Sequence, residues 1–422
     1  MRRIRSILLV AVLLYTPAWA ADDTGELGDP LKLTEAVAYA RRHNAEIRAA
    51  EAKARAARAR PAQAGALPDP MVDLGYHNER LDRLTLGSDE FSFVRLGASQ
   101  DVPFPGKLGL KREIATREAE QAGEDFRRVE LDVVSRVKMA YAEYAHLDIQ
   151  LDILRRNKGL LEKFARTAEE KYAVGEGIQQ DALKAQVELS LLLDRETALT
   201  QRRTSQTAEL NALLDRPAAA PLGGAEHPME RTLTRSVAEL TEAAATHAPE
   251  LKATAARVGG GEAGVALAHR EYLPDFVLRA EYMHKAELQP EWEVGLGIKV
   301  PLYFATKQRA GVAEASAMLA EARAAHESAD RSVDARIKDL YARAQAAERL
   351  IALYHTTIIP QARLALDSAT GAYQVGKVDF LTLLNSFTVS LEYEMRYHEE
   401  LANFQKAMAE LEAVVGEPLG ED

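Results

Sequence analysis

The residues that could bind a metal ion or catalyse a reaction are scattered along this chain. Its ten histidines show no His-x-x-x-His spacing, the closest pairing of possible soft ligands is Met283-His284, and there is no cysteine. The sequence also lacks a Gly-x-Ser-x-Gly motif and a phosphate-binding loop. Carboxylates are abundant, but on charge-rich helices they are expected to face solvent. The sequence therefore predicts a protein that is not an enzyme and that holds neither a cofactor nor a structural metal.

The composition favours long packed helices over a compact core. Of the 422 residues, 28% are charged and only 6% are aromatic. The formal net charge of −11 argues against nucleic acid as a partner.

The start of the chain has the three parts of a secretory signal peptide. Basic residues between Arg2 and Arg5 precede a short apolar run over 7–14 and the small-x-small pattern Ala18-Trp19-Ala20. We expect residues 1–20 to be removed after Ala20, which would lower the net charge from −11 to −14. Without cysteine the exported chain would have no disulfide and no lipid anchor. No later apolar run is long enough for a membrane-spanning helix, so any membrane span must be β-strand.

Two long stretches carry apolar residues at alternating steps of three and four. In the later one, over 307–373, these are Ile337, Leu340, Ala344, Ala347, Ile351, Tyr354 and Ile358. In the earlier one, which ends near Tyr172, they are Phe126, Val129, Val133, Val137, Ala140, Tyr144, Leu147, Leu151 and Leu154. This spacing is typical of helices that pack side by side as coiled coils. Each helix would be on the order of 100 Å long.

Four shorter segments, over 72–76, 91–102, 276–283 and 292–300, have the period of β-strands. The last two are clearly apolar on one side and charged or small on the other. Tyr282, Trp292 and Tyr303 lie near the strand ends, where membrane-interface aromatics are found. A soluble amphipathic hairpin shows the same alternation, so the pattern alone leaves both interpretations open.

The chain repeats its own plan at an offset of about 200 residues. Leu33-Thr34 recurs as Leu233-Thr234, Leu67-Pro68-Asp69 as Leu273-Pro274-Asp275, and Tyr172-Ala173-Val174-Gly175 as Tyr373-Gln374-Val375-Gly376. We interpret this as a tandem duplication, with repeats at 21–216 and 233–422 and a linker at 217–232. Each repeat would hold two β-strands and a long α-helical hairpin. One difference is Gly259-Gly260-Gly261, which we expect to loosen a helix in the second repeat.

Four strands are too few to close a membrane barrel. The smallest single-chain barrels have about eight strands, and an open sheet edge is prohibitive in lipid. Several chains would therefore have to pool their strands, and three copies would supply a ring of twelve strands and a ring of twelve helices. A hollow helical cylinder continuous with a barrel is a conduit.

These features resemble the TolC family of outer-membrane efflux proteins over essentially the whole exported chain. The most specific matches are the Tyr-x-x-Gly segments at 172–175 and 373–376 and the two Leu-Pro-Asp motifs. The resemblance implies a mainly α fold with a transmembrane β-barrel portion: a homotrimer with a 12-strand barrel in outer-membrane lipid and an α-helical tunnel in the periplasm. It also implies a periplasmic adaptor and an inner-membrane pump as partners. The segment Pro103 to Leu108 is most similar to the branch that serves heavy-metal pumps of the resistance-nodulation-division type.

The ends of the two helical hairpins are the first candidate site. Tyr172, Gly175 and Gly177 mark the first end, and Tyr373, Gly376 and Lys377 mark the second. Glycine at such positions permits the left-handed backbone of a tight reversal, which alone would make them simple turns. The resemblance implies that they form the periplasmic tip on which the adaptor docks.

The second candidate site is the narrow end of the tunnel. In drug-exporting members of the family an aspartate six residues past the first tip glycine lines this aperture, and Asp181 has that spacing. Three copies would form a ring of carboxylates that attracts cations. The alternative is a carboxylate that only stabilises a helix N-terminus. In the second repeat the matching residues are Thr382 and Asn385 rather than aspartates, which puts a double acidic ring in doubt; Lys377 and Asp379 could supply other contacts.

The sequence is thus interpreted as the exit duct of a tripartite efflux system, one that passively conducts substrate to the exterior and that could carry heavy-metal cations. The duct of a type I protein secretion system is the alternative within the family. A soluble periplasmic coiled-coil scaffold is the alternative outside it, and that would require the apolar strand faces to be covered by protein.

Overall fold

The computed structural model of the protein describes residues 27–79, 81–85, 90–226 and 232–419. The predicted signal peptide, residues 1–20, lies outside the described residues. The helices and strands, in chain order, are α1 (Leu33–His43), α2 (Ala45–Ala64), β1 (Met71–His77), β2 (Phe93–Val102), α3 (Lys107–Ala173), α4 (Gln179–Leu213), α5 (Val237–His247), α6 (Pro249–Arg270), β3 (Asp275–His284), β4 (Glu291–Lys299), α7 (Arg309–Leu353), α8 (Ile359–Gln374) and α9 (Phe380–Val415). Two π-helical segments, Phe304–Gln308 and Tyr354–Ile358, lie directly before and after α7.

The first helical part of the chain, which the sequence predicts to run from Leu31 to about Gln63, is divided at Asn44 into α1 and α2. The backbone of Asn44 is extended, and its side-chain oxygen accepts hydrogen bonds from the N–H groups of Glu46 and Ile47, at 2.9 and 3.2 Å. Its side-chain amide donates to the carbonyl of Leu213 at the end of α4. Asn44 therefore starts α2 as an N-cap and at the same time ties it to the first helical hairpin.

The four strands form a single antiparallel sheet in the order β1-β2-β3-β4. The central pair joins the two halves of the chain, because Leu96 and Ala98 of β2 are the register partners of Tyr282 and Ala280 of β3. The strands β1 and β4 form the two edges of the sheet.

The two faces of the sheet are chemically opposite. One row across the sheet is Leu74, Leu96, Tyr282 and Trp292, and the next residue along each strand gives a row on the other face that includes Asp73, Gly97 and Glu293. The apolar face is uncovered within the chain: Leu74 is 76% exposed and Trp292 is 78% exposed. Phe93 at the start of β2 is an exception, because this aromatic residue lies on the polar face, where it stacks on His77 with ring centroids 5.2 Å apart.

The long helices lie side by side in a fixed lateral order. Toward the hairpin ends, α3 packs against α4 on one side and α9 on the other, and α9 packs against α7 and α8. Closer to the sheet, α3 packs between α2 and α6, and α6 packs on α7. Apolar residues of α3, α4, α8 and α9 form the buried core of this layer near the tips, where Phe164 and Phe387 meet edge to face.

Both predicted long helices are present; the first is α-helical throughout, whereas the second contains π-helical segments. Helix α3 runs for 67 residues, which is about 100 Å at 1.5 Å per residue. In the second rod Ile337, Ala344 and Ala347 are buried as the coiled-coil spacing predicts. Beyond α7 the π-helical segment Tyr354–Ile358 inserts extra backbone, and Pro360 follows in the first turn of α8. The prediction of one long helical rod over 307–373 is confirmed, and the two π-helical segments are local changes of its hydrogen-bond pattern.

The three consecutive glycines Gly259, Gly260 and Gly261 do not interrupt their helix, contrary to the expectation that they would loosen it. Helix α6 continues through them from Pro249 to Arg270. A Cβ atom added to Gly259 would approach the side chain of Arg117 on α3 at 3.2 Å, and one added to Gly261 would approach Leu319 on α7 at 3.2 Å. The glycines thus permit close packing of three helices, which offsets their low helix propensity.

A buried lysine joins the two halves where the sheet meets the helices. Lys107, at the start of α3, is 2% exposed. Its ammonium donates to the carboxylates of Asp275 at 2.8 Å and Glu271 at 3.2 Å and to the carbonyl of Leu273 at 3.1 Å. Asp275 also accepts a hydrogen bond from the N–H of Phe104. The Pro-Phe-Pro-Gly-Lys turn of the first half is thereby locked onto the Leu-Pro-Asp segment of the second.

We expect Lys107→Met to lower the free energy of unfolding by about 2 kcal/mol, because two carboxylates and a carbonyl lose a charged donor at a buried position. The measurement is thermal unfolding of the purified protein in detergent. Lys299→Met is the matched control, since Lys299 pairs with Asp101 at 2.9 Å but both side chains are about half exposed. Its effect should stay below about 1 kcal/mol, and equal shifts for the two variants would contradict a special role for Lys107.

Candidate functional site

Both hairpin ends are closed by a glycine in the left-handed conformation. Gly175 has φ +79° and Gly376 has φ +73°. Past the first glycine, the N–H of Glu176 donates to the carbonyl of Lys171 at 2.8 Å, and past the second the N–H of Lys377 donates to the carbonyl of Ala372 at 2.9 Å. These are the bonds of a Schellman motif, which satisfies the last carbonyls of a helix. The left-handed backbone predicted for the turn glycines is confirmed at Gly175 and Gly376. Gly177 does not have a positive φ; a Cβ atom there would lie 3.1 Å from the backbone nitrogen of Tyr172.

The two hairpin ends contact each other through one buried tyrosine. Tyr373 and Phe380 are both buried, with their rings edge to face at 5.5 Å. The ammonium of Lys171, from the first hairpin, lies 5.3 Å from the centre of the Tyr373 ring, within range of a cation–π interaction. Tyr172, its counterpart in the first repeat motif, is instead 49% exposed. The two Tyr-x-x-Gly segments thus play different roles.

Two aspartates, Asp181 and Asp379, lie in this contact, and their surroundings shift their pKa values in opposite directions. Partial burial raises the pKa of Asp181; the positive charge of Lys184 acts against this, and the negative charge of Asp379 adds to it. The pKa of Asp379 is lowered because the hydroxyl and the N–H of Thr382 both donate to its carboxylate. Burial raises the pKa of Tyr373, and the charge of Asp181 contributes to that shift. We call Lys171, Asp181, Lys184, Tyr373 and Asp379 the tip cluster.

The charge of the tip cluster depends on pH in two steps. The ionised form of Asp181 costs stability in the folded tip, and this cost is relieved as the pH falls through its raised pKa. The stabilisation from ionised Asp379 is fully present above its ordinary pKa and is lost as the pH falls through its lowered pKa. Between those two values the pair of aspartates carries one negative charge instead of two.

The remaining predicted aperture residues, Thr382 and Asn385, lie on the first turns of α9 and are both exposed. The N–H and the hydroxyl of Thr382 both donate to the carboxylate of Asp379. The second hairpin thus carries a carboxylate beside the predicted aperture positions, at Asp379. Its position directly before a helix and three residues before Thr382 is an N-cap signal that could have been recognised in the sequence. The contribution of Lys171 could not, because it depends on how two distant turns pack.

The aromatic residues predicted to mark the membrane interfaces lie at both ends of the sheet. Tyr282 and Trp292 are register partners toward the end that carries the strand-connecting loops. Tyr303 follows β4 at the end where the helices begin. All three are exposed, Trp292 at 78% and Tyr303 at 76%.

Known families can be compared with this geometry. The model of the family described as outer membrane efflux protein matches residues 37–216 and residues 240–417, which together make up most of the chain. The chain belongs to the outer membrane efflux protein family. The resemblance to TolC-type proteins is confirmed, and the function is that of an outer-membrane efflux channel. The family and the fold are those of channel proteins rather than enzymes.

Named relatives of this efflux protein are distant in sequence but similar along most of their length. The cobalt-zinc-cadmium resistance protein CzcC of Cupriavidus metallidurans is 22% identical and covers 99% of this chain and 100% of its own. The pyoverdine export outer membrane protein OpmQ of Pseudomonas putida is 24% identical and covers 84% of this chain and 79% of its own. The crystal structure of VceC from Vibrio cholerae superposes with a TM-score of 0.78 at 19% identity, covering 92% of this chain and 97% of that one.

The described part of this efflux protein contains no group of three or more His, Cys, Asp or Glu residues arranged to hold a metal ion. Within the same residues, no helix is both long and apolar enough to cross a bilayer.

We expect Asp379→Ala to free the first turn of α9, because the N–H of Thr382 loses its acceptor. Amide hydrogen exchange of the peptide that contains Thr382 should become faster, on the order of fivefold. Asp379→Ser is the matched control, since serine is also a good N-cap and should preserve the protection. Unchanged exchange in the alanine variant would show that the cap does not hold the turn.

Proposed function

We propose that this efflux protein acts as a homotrimer whose sheets close into a twelve-strand barrel in the outer membrane and whose helices form a periplasmic tunnel. One observation carries the proposal: the chain has a four-stranded sheet with an uncovered apolar face and two open edges. Channels of the TolC family are trimers that work with an adaptor and an inner-membrane pump.

The sheet is suited to lipid on one side and to water on the other. Exposed side chains on its apolar face include Val72, Leu74, Leu96, Trp292, Val294, Leu296 and Ile298. A soluble protein rarely leaves so large an apolar surface uncovered. In lipid the edge strands β1 and β4 would leave backbone groups unpaired, so each must pair with an edge of another chain. Three copies give twelve strands, which is within the range of known barrels.

The helical layer supports the same closure. Helix α4, at one side of the layer, exposes Leu183, Val187 and Leu191. At the other side, Leu350, Leu353 and Leu364 of α7 and α8 are exposed at coiled-coil spacing. Pairing of α4 with α7 and α8 of the next copy would bury both rows and complete a ring of twelve helices.

The hairpin ends are the surface on which we propose that the periplasmic adaptor docks. Around the two turns, Tyr172, Val174, Ile178 and Val375 are exposed apolar side chains at the far end of a polar rod. Gly175, Gly177, Gly376 and Lys377 form the turns between them. An exposed apolar tip of this kind is the usual mark of a protein contact.

We propose heavy-metal cations as the cargo. Support comes from the match to CzcC over both full chains, from the Pro103–Leu108 turn, and from the pair of aspartates in the tip cluster, which would form acidic rings in a trimer. The match to OpmQ favours pyoverdine instead, and the permeability test below decides whether the pore passes a metal ion.

The domain limits that go with this function are a signal peptide at 1–20, efflux repeats at 21–216 and 233–422, and a linker at 217–232. The same element order in the two halves supports them: two short helices, two strands and a long hairpin.

Neighbouring residues on β4 test which face meets lipid. Val294→Arg should block assembly, because an arginine on the lipid face near the middle of a membrane strand costs about 2–4 kcal/mol. Glu293→Arg, on the opposite face, should be tolerated. The readout is the amount recovered in the outer-membrane fraction as a heat-modifiable oligomer. If the unmodified protein were released with the soluble periplasm, the scaffold alternative would replace the channel.

Asp181→Asn tests the aperture. We expect this change to lower the preference for cations in single-channel recordings, measured as reversal potentials in potassium chloride and zinc chloride gradients. Asp330→Asn removes the same charge from an exposed position on α7, away from the hairpin ends, and should have no effect.

Unchanged selectivity in Asp181→Asn would reject the acidic ring. A pore that passes potassium but excludes zinc would reject the metal cargo while leaving the channel in place.

A further inference from the structure

Every connection between the sheet and the helices passes the same end of the sheet. Strands β1 and β3 begin there and β2 and β4 end there, because the sheet is antiparallel throughout. Helices α2, α3, α6 and α7 therefore all have one terminus at this level. Under the proposed function, on which this inference rests, this is the plane where the membrane ends and the periplasm begins.

Exposed basic residues are concentrated at this level, although the chain as a whole has a net charge of −11. We call them the basic collar: Arg60, Lys111, Arg112, Arg270, Lys307 and Arg309. They come from four helix ends and one π-helical segment at the base of the sheet, and two of them, Arg60 and Lys111, line an open cleft between α2 and α3.

Most acidic groups at this level are already occupied. Glu271 and Asp275 both pair with the buried Lys107. Glu118 lies 3.8 Å from Arg60. Glu113, directly after Arg112, offsets part of the positive charge.

The collar is compensated only in part: Arg60 pairs with Glu118, and the charge of Lys111 also acts on the carboxylate of Asp275, which already binds Lys107. Among the described residues, Lys111, Arg112, Lys307 and Arg309 have no carboxylate within ion-pair distance. The guanidinium of Arg112 lies against Gly65 at the end of α2, and that of Arg270 donates to the carbonyl of Pro105 at 2.8 Å. The collar therefore presents a net positive surface to whatever surrounds the base of the sheet.

The residues beside the collar at the start of the second rod are apolar and exposed. Leu302 is 74% exposed, Tyr303 76% and Phe304 57%, and they continue directly from Val300 at the end of β4. Over residues 300–309 the chain passes from the end of the apolar strand face to the aromatic pair Tyr303 and Phe304, and then to Lys307 and Arg309. This is the order of hydrocarbon, interface and phosphate in a bilayer leaflet.

We infer that the basic collar binds the phosphate groups of anionic phospholipids in the leaflet that faces the periplasm. A soluble polyanion or a protein would leave the adjacent exposed Leu302, Tyr303 and Phe304 without a partner, whereas a phospholipid covers both surfaces with one molecule. Each basic residue near an anionic membrane surface strengthens binding about fivefold.

The test compares lipid retention by the assembled protein. Wild-type protein is reconstituted with equal amounts of phosphatidylglycerol and phosphatidylcholine, and the lipids that remain bound are counted by native mass spectrometry. We expect a preference for phosphatidylglycerol that falls on the order of tenfold in the double variant Lys307→Gln/Arg309→Gln and weakens at high salt.

The matched control is Arg331→Gln/Arg343→Gln, which removes the same charge from exposed positions on α7. The first of these lies roughly 33 Å along the helix from Arg309, at 1.5 Å per residue, and the control should keep the preference.

Each other outcome decides a different point. Failure of the wild type to enter any bilayer would overturn the proposed function and the inference with it. Insertion into both lipids without preference, or an undiminished preference in Lys307→Gln/Arg309→Gln, would overturn the inference alone. Displacement of phosphatidylglycerol by inorganic phosphate at equal concentration would show a simple phosphate site, and would also overturn it.

Discussion

The constraint that governs this molecule is that a strand edge cannot be left unpaired in hydrocarbon. Each open N–H or C=O group in lipid costs several kcal/mol, since no water can replace the missing hydrogen bond. The chain offers a sheet with a lipid-compatible face but only four strands, so neither edge can be satisfied within one copy. The helical layer repeats the problem in milder form, with exposed leucines on α4 and on α7 and α8. Sheet and helices therefore both support the closed ring of copies that we propose.

Within one copy, the two halves are held together at several levels. In the sheet β2 pairs with β3, and at the sheet–helix junction Lys107 of the first half binds Asp275 and Glu271 of the second. Further along, α3 packs against both α6 and α9, and at the tips Lys171 lies over Tyr373. These contacts join residues far apart in sequence. Each half also has a buried apolar cluster of its own near its short helices, whereas the cluster close to the tips is built from α3 and α4 of the first half and α8 and α9 of the second. The two halves have the same order of elements, and the contacts between them join the halves into one body.

Much of this architecture could be predicted because it depends on local periodicity. The lipid-compatible strand faces, the long helices and the glycine turns are all encoded in short stretches of sequence. What could not be predicted depends on packing between distant segments. The three glycines of α6 suggest a weak helix until the neighbouring Arg117 and Leu319 are known, and the break at Asn44 depends partly on the carbonyl of Leu213. At the candidate site Asp181 was found by its spacing. Asp379 lies outside the positions at which drug-exporting relatives carry aspartates, so the same spacing does not identify it.

The π-helical segment Tyr354–Ile358 makes the second long rod easier to bend than α3. Helix α3 is one unbroken column of backbone hydrogen bonds, so it resists bending along its length. The segment Tyr354–Ile358 lacks the regular bonding pattern of an α-helix, and Pro360 removes a further donor just beyond it. A force on the hairpin ends would therefore leave α3 straight, whereas the second rod would bend near Tyr354–Ile358. In the proposed trimer, copies of α3 would alternate around the tunnel with copies of the rod that contains the π-helical segment. Bending of that rod would change the width of the tunnel at its tip without opening its wall.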